Sequence, residues 1–479
     1  MSDLIPSPAT APAAPAAPAV GFWGAVRQAL RGEQHDYTAL GLNRAVLLLS
    51  VPMVVEMLME SLFTIVDVFW VARLGKDAVA VVGLTESVMS LIYAVAIGIS
   101  FAATAIVSRR IGEKNPTLAA QAAGQILLLG ATLSVLLGGV FGCFAGDILR
   151  LMGAEPAVVE QGTGYARVML GGNATVFLIF LINAIFRGAG DATLAMRTLM
   201  LANGLNLILD PCFIFGWGPF PEMGVTGAAV ATNLGRGVGV LYQLWHLTAR
   251  AGQVRVGWGD LRPRADSLVT ILRTSANGIG QLLISTTSWV GLFKILALFG
   301  SPVVAGYTIA IRVVIFALMP AWGLANAGAT LVGQNLGAQK PERATQAVRI
   351  AVRYNTLFLG AVGLIFIVFA RPIAGLFTTD AEVFSHAVRA LWIISLAFPL
   401  YAAGMCFEGA FNGAGDTATP TRLNFFCFWL GQIPLAWLLA KPLGLGPTGV
   451  FIAVPLSFSV LTLWSAVLFR RGKWREKRV

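Results

Sequence analysis

Apolar residues run through this chain in stretches too long for one face of a soluble helix. FLIFLINAIF (177–186) and LGAVGLIFIVFA (359–370) hold almost no polar position, and twelve such segments alternate with short polar or glycine-bearing breaks. They fall near 44–72, 78–108, 117–144, 156–186, 192–215, 225–249, 266–298, 303–332, 342–370, 382–411, 418–440 and 447–469. A helical bilayer crossing needs about 20 mostly apolar residues, so each segment is long enough to span. A membrane barrel would instead alternate polarity over strands of about 10 residues, and no such alternation occurs. The pattern predicts an all-α integral membrane protein with twelve transmembrane helices.

Composition narrows the class further. Of 479 residues, 57% are hydrophobic and 12% charged, against roughly 45–50% and 25% in soluble domains. That excludes a soluble enzyme, a disordered chain and a secreted disulfide scaffold. Cys143, Cys212, Cys406 and Cys427 sit inside apolar runs without CxxC spacing and read as small apolar fillers.

The net charge of +11 raises the question of nucleic acid, and its placement answers it. With both termini in the cytoplasm, 24 Lys and Arg fall on that side, against 5 to 7 opposite. The cytoplasmic set includes Arg109, Arg110 and Arg187 in the short connections and the tail RRGKWREKR. This is a strong positive-inside bias. The basic residues orient the chain and meet lipid headgroups, so membrane lipids are partners and nucleic acid is not.

The chain divides into a disordered Ala/Pro-rich tail (1–20), an interfacial amphipathic segment (21–43) and an N-lobe of six spans (44–250). A cytoplasmic connection (251–265), a C-lobe of six spans (266–469) and a basic cytoplasmic tail (470–479) follow.

Shifting the sequence by 225 positions lays the second half on the first. Phe186, Gly188, Ala189, Gly190 and Asp191 meet Phe411, Gly413, Ala414, Gly415 and Asp416, and Gly75 and Gly98 meet Gly300 and Gly323. Gly112, Pro116 and Gln121 meet Gly337, Pro341 and Gln346; at a slightly shorter offset, Gly224 and Gly227 meet Gly446 and Gly449. Six spans per half is an even number, so both halves enter from the same side. They are expected to form two six-helix bundles related by a pseudo-two-fold axis along the membrane normal, as in transporters whose lobes rock about a cleft.

The repeat also filters the buried polar residues. Scaffold positions match between halves, so mismatches mark work done in one lobe. Asp67 meets Leu292, Asn206 meets Gly431, Asp210 meets Leu435 and Thr232 meets Val454. Asp67 lies roughly 23 residues into its segment and Asp210 roughly 18 into its own, at comparable depth in the outer half of the bilayer. A carboxylate there costs about 2.5–3.5 kcal/mol and marks an ion path or pairs with a base. Asn206 and Asp210 share a helix face, and Pro211 leaves the Leu207 carbonyl without its helical donor. Two carboxylates, an amide and a hydroxyl suit Na+. Two close carboxylates also resist ionising together, so the same group can carry H+. The alternative is that both acids pack helices against an Arg partner.

Other polar residues stay open. Glu56 and Glu60 share a face with Asp67, and either line the cleft or stabilise helix contacts. Glu86 and Glu408 face the cleft or an Arg, and Gln281 is a further candidate cleft residue. Arg236 is the expected structural partner of an N-lobe acid. Pro52 and Pro211 are candidate hinges, while Pro320, Pro399, Pro434 and Pro455 interrupt other helices.

At these residues the chain resembles the MATE (multidrug and toxic compound extrusion) family over roughly 40–470. The resemblance rests on VDVFWVARLG, the duplicated RGAGD and NGAGD loops, NLILDPCFIFGWG, GVTGAAVAT and LVGQNLGAQKPERA. The Asn206–Asp210 pair looks like the DinF branch. That resemblance implies a cation site on Asp67, Asn206, Asp210 and Thr232, with Asn183 adjacent and a backbone oxygen near Ala228. It also implies export of cationic or amphipathic molecules driven by H+ or Na+. A bacterial cytoplasmic (inner) membrane, a functional monomer and no cofactor beyond the coupling ion are expected. Glu56, Glu60 and Glu86 are additional acids beside that site. Two rival classes are a lipid-linked sugar flippase of the same superfamily, which would line its cleft with cations, and a membrane enzyme, for which three dispersed histidines offer little.

Overall fold

The computed structural model describes residues 22–249, 252–477 and 479; the tail expected over 1–20 lies outside them, as do Arg250 and Arg478. The first half comprises α1 (Phe22–Arg31), α2 (Leu42–Val71), α3 (Lys76–Gly112), α4 (Pro116–Cys143), α5 (Ala145–Leu151), α6 (Pro156–Gly171), α7 (Ala174–Ala189), α8 (Ala192–Phe215) and α9 (Val225–Ala249). The second comprises α10 (Ala265–Ala297), α11 (Ser301–Gly337), α12 (Pro341–Gly375), α13 (Ala381–Ser395), α14 (Phe398–Gly413), α15 (Ala418–Asn424), α16 (Ile433–Ala440) and α17 (Pro447–Arg471). Among the described residues no strand occurs.

Ten helical spans are long and apolar enough to cross a membrane, and α13 with α14, bent by 57°, makes an eleventh. The twelfth segment, α9, is a continuous 25-residue helix that falls short on hydropathy. Its polar groups explain this, because Arg236 and Gln243 turn into the bundle, where protein partners replace water. Outward faces are apolar: Leu136, Leu364 and Leu463 are all exposed, as expected for a surface facing lipid. Each half has its own core, one running from Val88 to Ile271 and the other from Leu292 to Leu461. The fold is therefore two six-helix bundles.

The repeat is written in the backbone as well. Gly75, Lys114 and Gly190 take left-handed φ of 103°, 55° and 89°; their counterparts Gly300, Gln339 and Gly415 take 100°, 58° and 83°. Lys114 and Gln339 hold that conformation without being glycine, in the turns after α3 and α11.

The same symmetry joins the lobes. A Cβ on Gly112 would strike the Gln334 carbonyl, and one on Gly337 would strike the Arg109 carbonyl. Further along, Gly98 lies against the Ile279 backbone and Gly323 against that of Met53 and Val54. Each contact is the image of the other under the 225-residue shift, so the pseudo-two-fold axis runs between them. The two levels are about 20 Å apart along a helix, and the lower sits at the ends of α3 and α11, on the face that also carries α1 and the end of α17, here the terminal face. The lobes are thus closed together on that face. In a Gly337→Leu variant, spin labels on exposed Lys114 and Gln339 are expected to move several ångström apart; an unchanged distance distribution would mean that other contacts hold this side shut.

Of the prolines, Pro52, Pro211, Pro320 and Pro455 lie inside helices that run on past them. Pro399 and Pro434 instead open α14 and α16. Ahead of α16, Phe425–Gln432 is π-helical, whereas its N-lobe counterpart in α8 is regular α-helix. Wide turns of this kind recur at functional sites.

Candidate functional site

α8 ends at Gly216 in a left-handed turn, and the chain folds straight back: the Met223 and Gly224 amides donate to the Phe213 and Ile214 carbonyls. Gly227 then packs directly on Phe213, an approach that a Cβ would block. This tight return lays α9 along α8 and sets Thr232 opposite Asn206. The Asn206 amide donates to Asp210 Oδ1 at 2.9 Å and to Thr232 Oγ1 at 3.4 Å. All three residues are buried, Asp210 completely. Asp67 is buried on α2, which packs on α8, and lies within electrostatic reach of Asp210.

The donors at this cluster run out before the acceptors do. Asp210 Oδ2 and Asn206 Oδ1 are buried with no hydrogen-bond partner. Among the described residues, neither Asp67 nor Asp210 forms an ion pair. Buried unpaired oxygens carry a penalty of about 1–3 kcal/mol each, and a proton or a small cation would relieve it. The residues present therefore fit a monovalent cation held by oxygen. Ala228 is buried one turn before Thr232 on α9.

The remaining acids separate by partner. Glu56 Oε1 accepts from Arg187 Nη1 at 2.6 Å and from Asn183 Nδ2 at 3.1 Å, and Asn183 Oδ1 accepts from Gln243. The hydrogen bonds of Asn183 thus run to this second cluster and not to Asn206 or Asp210. Arg187, counted in sequence as a loop charge, is buried within α7. Glu60 accepts from Arg236 Nη2 at 3.2 Å; Arg236 also donates to the Tyr93 hydroxyl and lies over the Phe63 ring. Glu86 is exposed on α3, in electrostatic reach of Arg236 and Glu60.

Gln281 and Glu408 meet elsewhere, in a C-lobe cavity of about 270 Å³. Its walls are aromatic and thioether groups (Trp289, Met319, Trp322, Tyr401, Met405), with Phe101 and Thr104 of α3 closing it from the other lobe. Glu408 Oε1 and Gln281 Oε1 are buried without a partner, and no base lines the cavity. Asn424 and Phe428, at the start of the π-helical stretch, line it too.

Tyr93 and Tyr165 carry no signal in the hydropathy pattern, and Arg187 reads there as a loop charge. Tyr165 is buried on α6 within electrostatic reach of Asp67 and Asp210. The signal was available, since the three meet Leu318, Ala390 and Asn412 under the repeat shift, the same mismatch that singled out Asp67.

Comparison with known proteins adds independent findings. The family model described as MatE matches twice, over residues 52–212 and 278–438, once in each half. The probable multidrug resistance protein NorM of Thermotoga maritima is 28% identical over 438 residues, covering 91% of this chain and 94% of its own. The FAD transporter of Shewanella oneidensis is 26% identical over 437 residues, covering 89% and 94%. A solved outward-facing structure of a multidrug resistance MATE family transporter superposes with a TM-score of 0.85 at 29% identity, over 91% of this chain and 98% of that one.

Proposed function

The chain belongs to the MatE family and is a multi-pass membrane transporter of small molecules, not an enzyme; from that premise we propose that it is a multidrug efflux antiporter. It exchanges cationic or amphipathic molecules for H+ or Na+ by rocker-type alternating access. The observation that carries this reading is the buried Asn206–Asp210–Thr232 cluster beside Asp67, in which Asp210 Oδ2 and Asn206 Oδ1 have no donor. With the lobes closed on the terminal face, ion enters from the opposite side and neutralises Asp67 and Asp210. The hold on a cationic substrate weakens and the substrate leaves. The ion-loaded lobes then rock, with Pro52 and Pro211 absorbing the bend, and the ion departs on the other side. Coupling requires that ion and substrate exclude one another, in whole or in large part.

We place the protein in a bacterial inner membrane with both termini cytoplasmic, working as a monomer. The acid-bearing, base-free C-lobe cavity favours cationic cargo over the anion named in the Shewanella relative, and over a lipid-linked sugar. As a prediction, Glu408→Gln raises KM for organic cations several-fold and leaves KM for a neutral amphipath unchanged; equal effects on both would remove Glu408 from substrate recognition.

The test of the whole reading is efflux of a fluorescent organic cation from proteoliposomes, under an imposed pH gradient and, separately, a Na+ gradient. Transport under one of them is the expected outcome and names the ion. Transport under neither sinks the antiporter reading, and lipid scrambling becomes the next assay.

A further inference from the structure

We propose that the terminal face of the protein holds a binding site for a phosphate-bearing anion, in a cavity of about 580 Å³ between the two lobes. The cavity is assembled from three parts. The end of α3 supplies Arg109, Arg110 and Glu113, the α11–α12 turn supplies Gln339 and Pro341, and Arg475, Glu476, Lys477 and Val479 of the tail lie across them.

Arg109 is the unmatched cation of the cavity. Its side chain is only 8% exposed, it forms no ion pair among the described residues, and its Nε has no hydrogen-bond partner. One hydrogen bond is made, from Nη2 to the Ala414 carbonyl at 3.3 Å. Every other base in the cavity is already matched. Arg110 donates to Glu113 at 2.8 Å and to a main-chain oxygen of Val479, Arg475 to Glu342 at 2.7 Å, and Lys477 lies 3.3 Å from Asp416. Glu476 lines the cavity as well. A guanidinium stays charged in any environment a protein offers, and burying it unpaired is costly. An anion beside it removes the cost.

The repeat sharpens this. The counterpart of Arg109 is Gln334, whose Nε2 donates to the Gly188 carbonyl at 3.0 Å. The second half thus satisfies the position inside the protein with a neutral amide, and only the first half places a cation there. A guanidinium presents a planar fork that fits two oxygens of a phosphate. Because both lobes and the tail line the cavity, its occupant binds the arrangement closed on this face and favours it. The phosphate comes either from a soluble ester or from an anionic lipid headgroup, which basic segments beside a membrane attract.

The full chain is titrated with inorganic phosphate in detergent, against chloride at matched ionic strength. It is also placed in nanodiscs of phosphatidylcholine with and without phosphatidic acid. Unfolding is followed by tryptophan fluorescence. The expected result is a saturable rise in Tm with phosphate, with phosphatidic acid, or with both, and the responding arm identifies the source. Arg109→Gln should abolish the rise, while Arg349→Gln, an equal loss of charge at an exposed position on α12, should keep it. Should Arg109→Gln fail to yield a monodisperse protein, Arg109→Lys, which keeps the charge and loses the planar fork, should weaken the apparent affinity several-fold. No rise beyond the chloride and phosphatidylcholine controls overturns the site. So does an effect that Arg349→Gln removes as completely as the cavity variants.

Discussion

Asp210→Asn is expected to leave the protein folded and membrane-inserted while its gradient-driven efflux falls to the level of passive leak. The substitution keeps the shape of the side chain and its burial on α8, and Asn206 can still donate to the remaining carbonyl oxygen. What disappears is the charge that, in the proposed antiport cycle, alternates between ion and substrate. Coupling between two ligands of one protein is typically worth about 1–3 kcal/mol, or about 5–150-fold, and the loss should fall in that range. Asp67→Asn should behave alike, because Asp67 is buried on α2 within electrostatic reach of Asp210. Glu60→Gln should cost far less, since Glu60 is engaged by Arg236 rather than left with spare oxygens. Efflux and its dependence on the imposed gradient are measured together in the same vesicles. Wild-type coupling in Asp210→Asn would show that the ion binds elsewhere, and the unpartnered Glu408 would become the leading position.

Much of the architecture was legible because symmetric contacts constrain sequence. A close backbone contact repeated by a pseudo-two-fold axis needs a missing side chain in each copy, so Gly98 with Gly323 and Gly112 with Gly337 stand as matched pairs. The polar cluster was legible for the opposite reason, as a set present in one half only. Long-range pairing was not legible. Arg187 opens the RGAGD loop motif and looks like a cytoplasmic charge, yet its partner Glu56 is 131 residues earlier in the chain. Arg109 hides in the same way at the end of α3. Hydropathy also under-reads α9, because polar groups satisfied inside a bundle count against a helix as heavily as polar groups facing lipid. The π-helical turn after α15 leaves no trace in spacing or composition that would separate it from α8.

The Glu56–Arg187 pair should prove the costliest single contact to break in the N-lobe. Both groups are buried, the guanidinium nitrogen sits 2.6 Å from the carboxylate, and Asn183 and Gln243 extend the network. Removing one partner of such a pair leaves an uncompensated charge and costs about 3–5 kcal/mol, whereas replacing both with apolar groups of similar volume is often close to neutral. The two single variants should also differ from each other. Arg187→Met leaves a carboxyl group that can become neutral by taking up a proton, while Glu56→Gln leaves a guanidinium that cannot shed its charge. Glu56→Gln should therefore be the less stable, and Glu56→Leu combined with Arg187→Met should recover most of the loss. Unfolding free energies in detergent for the singles and the double form a cycle that isolates the pair. A double variant as unstable as the sum of its singles would mean that Glu56 and Arg187 stabilise the lobe separately, and the short contact between them would carry no energetic weight of its own.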